Sequence, residues 1–268
     1  MEKTNHSILE PNKLIAVIGY AFLTIFGGAF LIIIAAFLYN KGAGYNLSYT
    51  ELIQLIGETN FTKIDIEYQR LYVISNALGN MLSYLFMLAI VGFFMRNYLL
   101  EDGKAFLKEY KRLLWMIPLL AVVGYGASYL VDFLITLLIN ETSLNQSSIQ
   151  DLIVHGGAIP MFIAVVICAP IVEELIYRKA VFEYLKKYHI AISYVVSILL
   201  FALPHMITTF ISSNFSPLNN LLLSIPYAFS GFLLCGTYHL CNKNIYASWF
   251  MHMINNLLAF ILILALGV

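Results

Sequence analysis

The chain is dominated by long apolar stretches. Of its 268 residues, 60% are hydrophobic and 11% are charged, whereas a soluble domain carries about 25% charged residues. A stretch of about 20 apolar residues is long enough to cross a bilayer as a helix. Because lipid offers the backbone no hydrogen-bonding partner, each such stretch must be helical. Seven stretches reach this length: residues 14–39, 71–95, 113–139, 152–176, 190–210, 218–240 and 245–267.

These stretches predict an all-α, polytopic helical bundle that crosses the membrane about seven times, or eight. No repeat, low-complexity tract or linker divides the chain, so residues 1–268 are expected to form a single membrane domain. The formal net charge of zero gives no reason to expect a nucleic-acid partner. The three cysteines lie in or beside apolar stretches without paired spacing, which indicates buried thiols.

The lysine and arginine residues predict the orientation of the bundle. Cytoplasmic segments of membrane proteins are enriched in these residues. A cytoplasmic N-terminus places 12 of the 15 lysines and arginines on the cytoplasmic side and leaves Lys41, Lys63 and Arg70 outside. The sequence therefore predicts an integral multi-pass protein, most simply of the cell membrane, with its N-terminus inside and its C-terminus outside.

The fourth apolar stretch contains Glu173 and Glu174 near its end, and Arg178 follows one turn later. An ionisable side chain at membrane depth is costly and marks a functional site by default. Glu174 and Arg178 are four residues apart and share a helix face, so a structural ion pair is an equally good interpretation for these two. Glu173 points about 100° away from Glu174 and is the carboxylate left free for chemistry.

Two later apolar stretches each contain a histidine at depth. His205 follows Pro204, which can open the helix backbone at that point. His252 and Asn256 are four residues apart and share a face of the last stretch. Each of these residues alone is compatible with hydrogen bonding between helices. Together with Glu173 they supply a carboxylate, an imidazole and a pair of donors, which is the set needed to activate water and stabilise an oxyanion.

The three motifs, in this order, resemble the CAAX-protease and bacteriocin-processing family of intramembrane endopeptidases, the Abi or Rce1-like group. The family pattern is Glu-Glu-x-x-x-Arg, then Phe-x-x-x-His, then His-x-x-x-Asn. It occurs here as Glu173 to Arg178, Phe201 to His205, and His252 to Asn256. The resemblance covers roughly residues 150–265, the expected catalytic core, whereas residues 1–150 carry no signature.

The resemblance implies a role for each motif residue. Glu173 would be the general base, with His205 as its partner on the attacking water, while His252 and Asn256 would form the oxyanion hole. The Glu174–Arg178 pair would hold the site together. The substrate would be a membrane-associated peptide or protein, lipidated or transmembrane, and the requirement for a prenyl group does not carry over.

Three alternatives remain open at the level of sequence. A zinc ion held by Glu173, His205 and His252 is possible in principle, although a water-activating glutamate needs no metal and no cofactor is expected. The chain could instead be a non-catalytic immunity protein that sequesters a membrane-active peptide. It could also be a proton-coupled transporter, although no internal symmetry supports that function.

The depths of the motif residues make a further prediction. His205 lies about 22 Å into its stretch and His252 about 10 Å, at 1.5 Å per residue. For both to meet Glu173, the fourth and fifth helices must extend beyond the bilayer on the cytoplasmic side, with a kink near Pro170. The site is then expected in a cavity that opens toward the cytoplasm.

Overall fold

The computed structural model describes residues 9–211 and 216–267, and throughout these ranges the regular structure is helical. The prediction of an all-α polytopic bundle is confirmed. Six of the seven helices below, all except α2, are long and apolar enough to cross a membrane. The helices are α1 (Pro11–Gly42), α2 (Tyr49–Ile56), α3 (Ile66–Ile139), α4 (Leu144–Leu185), α5 (Ile190–Ile211), α6 (Pro217–Leu240) and α7 (Ile245–Leu266).

Six helices are long enough to cross a membrane, one fewer than the seven predicted spans, because residues 71–95 and 113–139 both lie in α3. Its 74 residues would extend about 110 Å if straight, far more than a bilayer's thickness of about 30 Å. The Leu99 carbonyl accepts a hydrogen bond from Tyr246, and Gly124 packs against Met251. Tyr246 and Met251 are one and a half turns apart, so α3 bends sharply between Leu99 and Gly124 and both halves pack against α7.

Polar side chains define where several helices begin. The Ser48 hydroxyl accepts from the backbone of Glu51, whose carboxylate accepts in return from the Ser48 backbone. These hydrogen bonds hold the pKa of the exposed Glu51 carboxyl below its usual value. Ser143 caps α4 and Asn244 caps α7 in the same manner, each satisfying a backbone N–H of the first turn.

Helix α4 is the least regular element of the bundle. Its turns widen to π-helical geometry over Ile153–Gly157, Phe162–Cys168 and Leu175–Phe182. The backbone leaves helical angles at His155 and Gly156, where Gly156 has a φ of 108°, a value that favours glycine. The break therefore lies upstream of the position predicted from Pro170, which is itself in a helical turn. Wide turns of this kind are frequent at functional sites.

Candidate active site

Glu173 lies on α4 with its carboxylate on an internal cavity, and 3% of the residue is exposed. Its Oε1 atom accepts a hydrogen bond of 3.1 Å from the hydroxyl of Tyr84, on α3. The hydroxyls of Tyr20 and Tyr177 pair with each other at 2.8 Å in the same buried region. One oxygen of Glu173 is thus fixed by a donor, and the other is left to face the cavity.

Both predicted histidines approach that second oxygen. The Nε2 atoms of His205 and His252 each lie 4.0 Å from Glu173 Oε2. This separation is too long for a direct hydrogen bond, and it suits one water molecule bridging the groups. The His205 ring stacks on Tyr227 with centroids 4.9 Å apart and planes within 5° of parallel. Three helices therefore direct an acid and two imidazoles toward one point.

Glu174 faces away from the cavity, as its helical position predicts. Its Oε2 atom lies 3.2 Å from Arg178 Nε, and both side chains are fully buried. Arg178 also donates to the Ser197 hydroxyl at 2.8 Å and to the Gly231 carbonyl at 3.4 Å. Glu174 Oε1 lies 3.4 Å from His252 Nδ1. The ion pair therefore connects α4, α5 and α6, and it also supports the ring of His252 from behind.

Asn256 lines the cavity one turn beyond His252, and its side-chain amide already makes one hydrogen bond. Its Nδ2 group donates to the Val165 carbonyl at 2.7 Å. Val165 lies in the π-helical stretch Phe162–Cys168, where the widened turn makes a carbonyl available to another helix. One amide hydrogen of Asn256 is thus committed to α4, and the second can point into the cavity. Asn255, which the helical spacing places elsewhere, lines the same cavity.

The cavity has a volume of about 310 Å³ and runs away from the motif residues in one direction. From Glu173 it follows α7 past Asn256 to Ile263, and it reaches Asn145 and Gln146 at the start of α4. These outer residues lie at the end of the bundle that the lysine and arginine count assigns to the outside. The predicted cytoplasmic opening and the predicted cytoplasmic N-terminus therefore cannot both hold.

The two histidines lie at different depths in their helices, the feature behind the predicted extension of the fourth and fifth helices, which stays a prediction. His205 lies 15 residues after the start of α5, whereas His252 lies seven residues after the start of α7. Since both side chains reach the same carboxylate oxygen, α5 begins about 12 Å farther from the site than α7 does, at 1.5 Å per residue.

The region that contains the three motifs matches a known protein family. Residues 155–258 match the family model of the type II CAAX prenyl endopeptidase Rce1-like proteins. This part of the chain is therefore similar to an Rce1-like domain. The matched region contains all three motifs and supports a CAAX-type intramembrane protease, a hydrolase, in general terms. No curated protein and no solved structure matches the chain.

The side chains of the Rce1-like domain do not fit a metal ion well in this arrangement. A tetrahedral zinc site has ligand distances of about 2.0–2.1 Å, so its ligand atoms are about 3.3 Å apart. Glu173 Oε2 lies 4.0 Å from both histidine nitrogens. Within residues 9–211 and 216–267, no three histidine, cysteine or acidic side chains are grouped closely enough to hold a metal. The observed spacing therefore does not match a tetrahedral zinc site.

The structure also adds residues to the site that the sequence did not single out. Tyr84 and Asn80 come from α3, outside the Rce1-like domain, and Tyr227 comes from α6 between two motifs. Tyrosine is abundant here, with 18 copies, and nothing in the spacing of these residues separates them from core tyrosines. Phe201, which packs against both histidine rings, is in contrast part of a motif, and Ser197, which accepts from Arg178, lies one turn before it on α5.

Proposed function

We propose that this protein is an intramembrane endopeptidase that hydrolyses a peptide bond of a membrane-associated substrate, lipidated or transmembrane. The observation that carries the proposal is the convergence of Glu173 Oε2 with His205 Nε2 and His252 Nε2 on one wall of the cavity, each at 4.0 Å. A carboxylate flanked by two imidazoles is suited to position and deprotonate a water molecule. The Rce1-like match supports the same reaction class.

In the proposed mechanism Glu173 is the general base. A water held between its Oε2 atom and His205 gives a proton to Glu173 while its oxygen attacks the scissile carbonyl carbon. The C–O bond forms and the carbonyl oxygen becomes an oxyanion. Glu173 then passes the proton to the leaving nitrogen, the C–N bond breaks, and an acid and an amine are released. Tyr84 holds the other carboxylate oxygen so that Oε2 stays directed at the water.

His252 and Asn256 are placed to stabilise the oxyanion. If His252 carries both ring protons, its Nδ1–H faces Glu174 and its Nε2–H faces the cavity. The buried groups Glu173, Glu174, Arg178 and His252 then sum to zero charge, which reduces the cost of burying them. The second amide hydrogen of Asn256 supplies the other donor. Preorganised donors of this type contribute about 2.7–4 kcal/mol each to a transition state.

The decisive experiment compares wild type with Glu173→Gln by mass spectrometry of membrane peptides. Glutamine keeps the shape of the side chain and the Tyr84 hydrogen bond, but it cannot accept the proton. We expect fragments present with wild type to disappear completely. Glu101→Gln is the matched control, because Glu101 is exposed on α3 and does not line the cavity. Identical fragments from wild type and Glu173→Gln would refute hydrolysis at this site and favour a protein that only sequesters a peptide.

A further inference from the structure

We infer that substrate enters this site from the extracytoplasmic face of the membrane. The inference rests on the proposed function, and it adds the side from which the scissile segment arrives. Three observations carry it: the cavity extends toward one end of the bundle, the other end is sealed by buried groups, and the basic residues collect at the sealed end.

The open end lies between the first turns of α4 and the last turns of α7. Asn145, Gln146 and Ser148 line the cavity here and are partly exposed, which gives it a polar mouth. Deeper in, the wall alternates amide side chains such as Asn80 with apolar ones such as Phe260. Amides can pair with the backbone of an extended peptide, while the apolar wall accepts its side chains.

The opposite end of the site is closed by packing. Beyond Glu173 toward the C-terminal end of α4, Leu175, Ile176 and Ala180 are each at most 2% exposed, and Arg178 is wholly buried. Their apolar members belong to the largest buried cluster of the bundle. A water molecule or peptide coming from this direction would have to displace core side chains, which are packed as densely as an organic crystal.

A partly buried ion pair holds the same end together. Lys179 on α4 donates to both carboxylate oxygens of Asp102 on α3, at 2.7 and 2.8 Å. The Asp102 carboxylate also accepts from the backbone N–H of Ile245, in the first turn of α7, at 3.0 Å. Asn244 donates to the Asp102 carbonyl at 2.8 Å. Three helices that surround the site are thereby tied together where an entrance from this side would have to open.

The sealed end is also the basic end. Glu10, beside the start of α1, accepts a hydrogen bond from Tyr98, and Asn242 donates to Glu109. These contacts bring the start of α1, the middle of α3 and the α6–α7 turn to one face, together with most of the lysines and arginines among the described residues. By the positive-inside rule this face is cytoplasmic. The cavity consequently opens to the outside.

The substrate class follows from this placement. The site is suited to an exported peptide, or to the outer segment of a membrane-anchored protein, that reaches the cavity from the outer leaflet. A lipidated C-terminus presented from the cytoplasm would meet the sealed end. Despite the family resemblance, we therefore expect cleavage of extracytoplasmic peptide bonds.

Cysteine accessibility in intact cells tests the inference without requiring activity. The three native cysteines, all buried, are replaced by alanine, and single cysteines are introduced by Gln146→Cys, Asn80→Cys or Lys243→Cys. Cells are treated with a membrane-impermeant maleimide before and after permeabilisation. We expect Gln146→Cys and Asn80→Cys to be labelled in intact cells, and Lys243→Cys to be labelled only after permeabilisation. Leu175→Cys, within the packed end, should resist labelling in both conditions.

Two results would overturn the inference. Labelling of Asn80→Cys only after permeabilisation, or in neither condition, would show that the cavity does not open to the outside. Labelling of Lys243→Cys in intact cells would show that the orientation is reversed. Neither result bears on hydrolysis, which the Glu173→Gln comparison decides separately. Gel filtration of each variant in detergent checks that it is folded, and Ser148→Cys replaces Gln146→Cys if that variant aggregates.

Discussion

The buried pair formed by Glu174 and Arg178 offers the sharpest test of how the site is held. Both side chains are wholly buried, and their charged atoms are 3.2 Å apart. Replacing Arg178 with glutamine removes the countercharge of Glu174 and also the donors to Ser197 and Gly231. A polar contact that would remain to the Glu174 carboxylate is with His252 Nδ1, 3.4 Å away.

The expected cost follows from the burial of both partners. Removing one member of a buried ion pair costs about 3–5 kcal/mol, because the other charge stays buried without compensation. At roughly 2–4 °C per kcal/mol, Arg178→Gln should lower the melting temperature by about 6–20 °C. Glu174→Gln should have a similar effect. The double variant should be more stable than the sum of the single changes predicts by about 1–3 kcal/mol, since it leaves no unpaired charge.

Thermal unfolding of the purified protein in detergent measures these shifts. The exposed pair of Arg112 and Glu109, 2.8 Å apart, is the matched control, because exposed ion pairs contribute about 0–1 kcal/mol. Arg112→Gln should therefore change the melting temperature by no more than about 4 °C. If Arg178→Gln behaved like Arg112→Gln, or if the double variant showed only additive losses, the ion pair could not be what holds α4, α5 and α6 together.

Three further predictions follow from individual contacts. Tyr84→Phe removes the donor to Glu173 Oε1 without changing packing. Because a hydrogen bond to a charged group contributes about 1.5–3 kcal/mol, kcat should fall by about 10- to 150-fold. An unchanged kcat would exclude Tyr84 from positioning the base. Gly79→Ala would place a methyl group within 2.5 Å of the side chain and backbone of Ile32. We expect the free energy of unfolding, measured by thermal unfolding, to fall by about 1–3 kcal/mol. Wild-type stability would show that α1 and α3 can separate. Burial raises the pKa of the Cys241 thiol to about 11. Its reaction with a maleimide should therefore be slow at pH 7 and accelerate as the pH rises toward 11. Rapid labelling at pH 7 would contradict its buried environment.

Much of the bundle could be predicted from the sequence because lipid imposes simple rules. Apolar stretches of sufficient length must be helical, and helices α4 to α7 cover the last four predicted spans closely. The placement of Glu174 against Arg178, with Glu173 turned aside, follows from a rotation of about 100° per residue. Such local geometry is encoded by spacing alone.

The remaining features depend on contacts between distant segments, which spacing does not encode. The bend that folds the two halves of α3 onto α7 has no unique signal, since Pro118 lies well beyond Leu99. The hydrogen bond from Asn256 to Val165 requires the π-helical turns of α4, and no residue pattern predicts these turns. The direction of the cavity is likewise set by how tightly each end packs. The prediction of a cytoplasmic opening rested on helix depth, which carries no information about packing.

The two adjacent glutamates explain why the site needs helices from both halves of the chain. Each carboxylate is buried, and each is satisfied differently: Glu174 by the cation Arg178, and Glu173 by the neutral hydroxyl of Tyr84. A guanidinium in direct contact with Glu173 would hold the carboxylate in an ion pair, whereas the Tyr84 hydroxyl fixes its direction without adding a charge. On α4 itself, the i+4 position on the face of Glu173 is occupied by Tyr177, whose hydroxyl pairs with Tyr20. Helix α3 supplies the hydroxyl that contacts Glu173, so the part of the chain without a signature contributes to the candidate site.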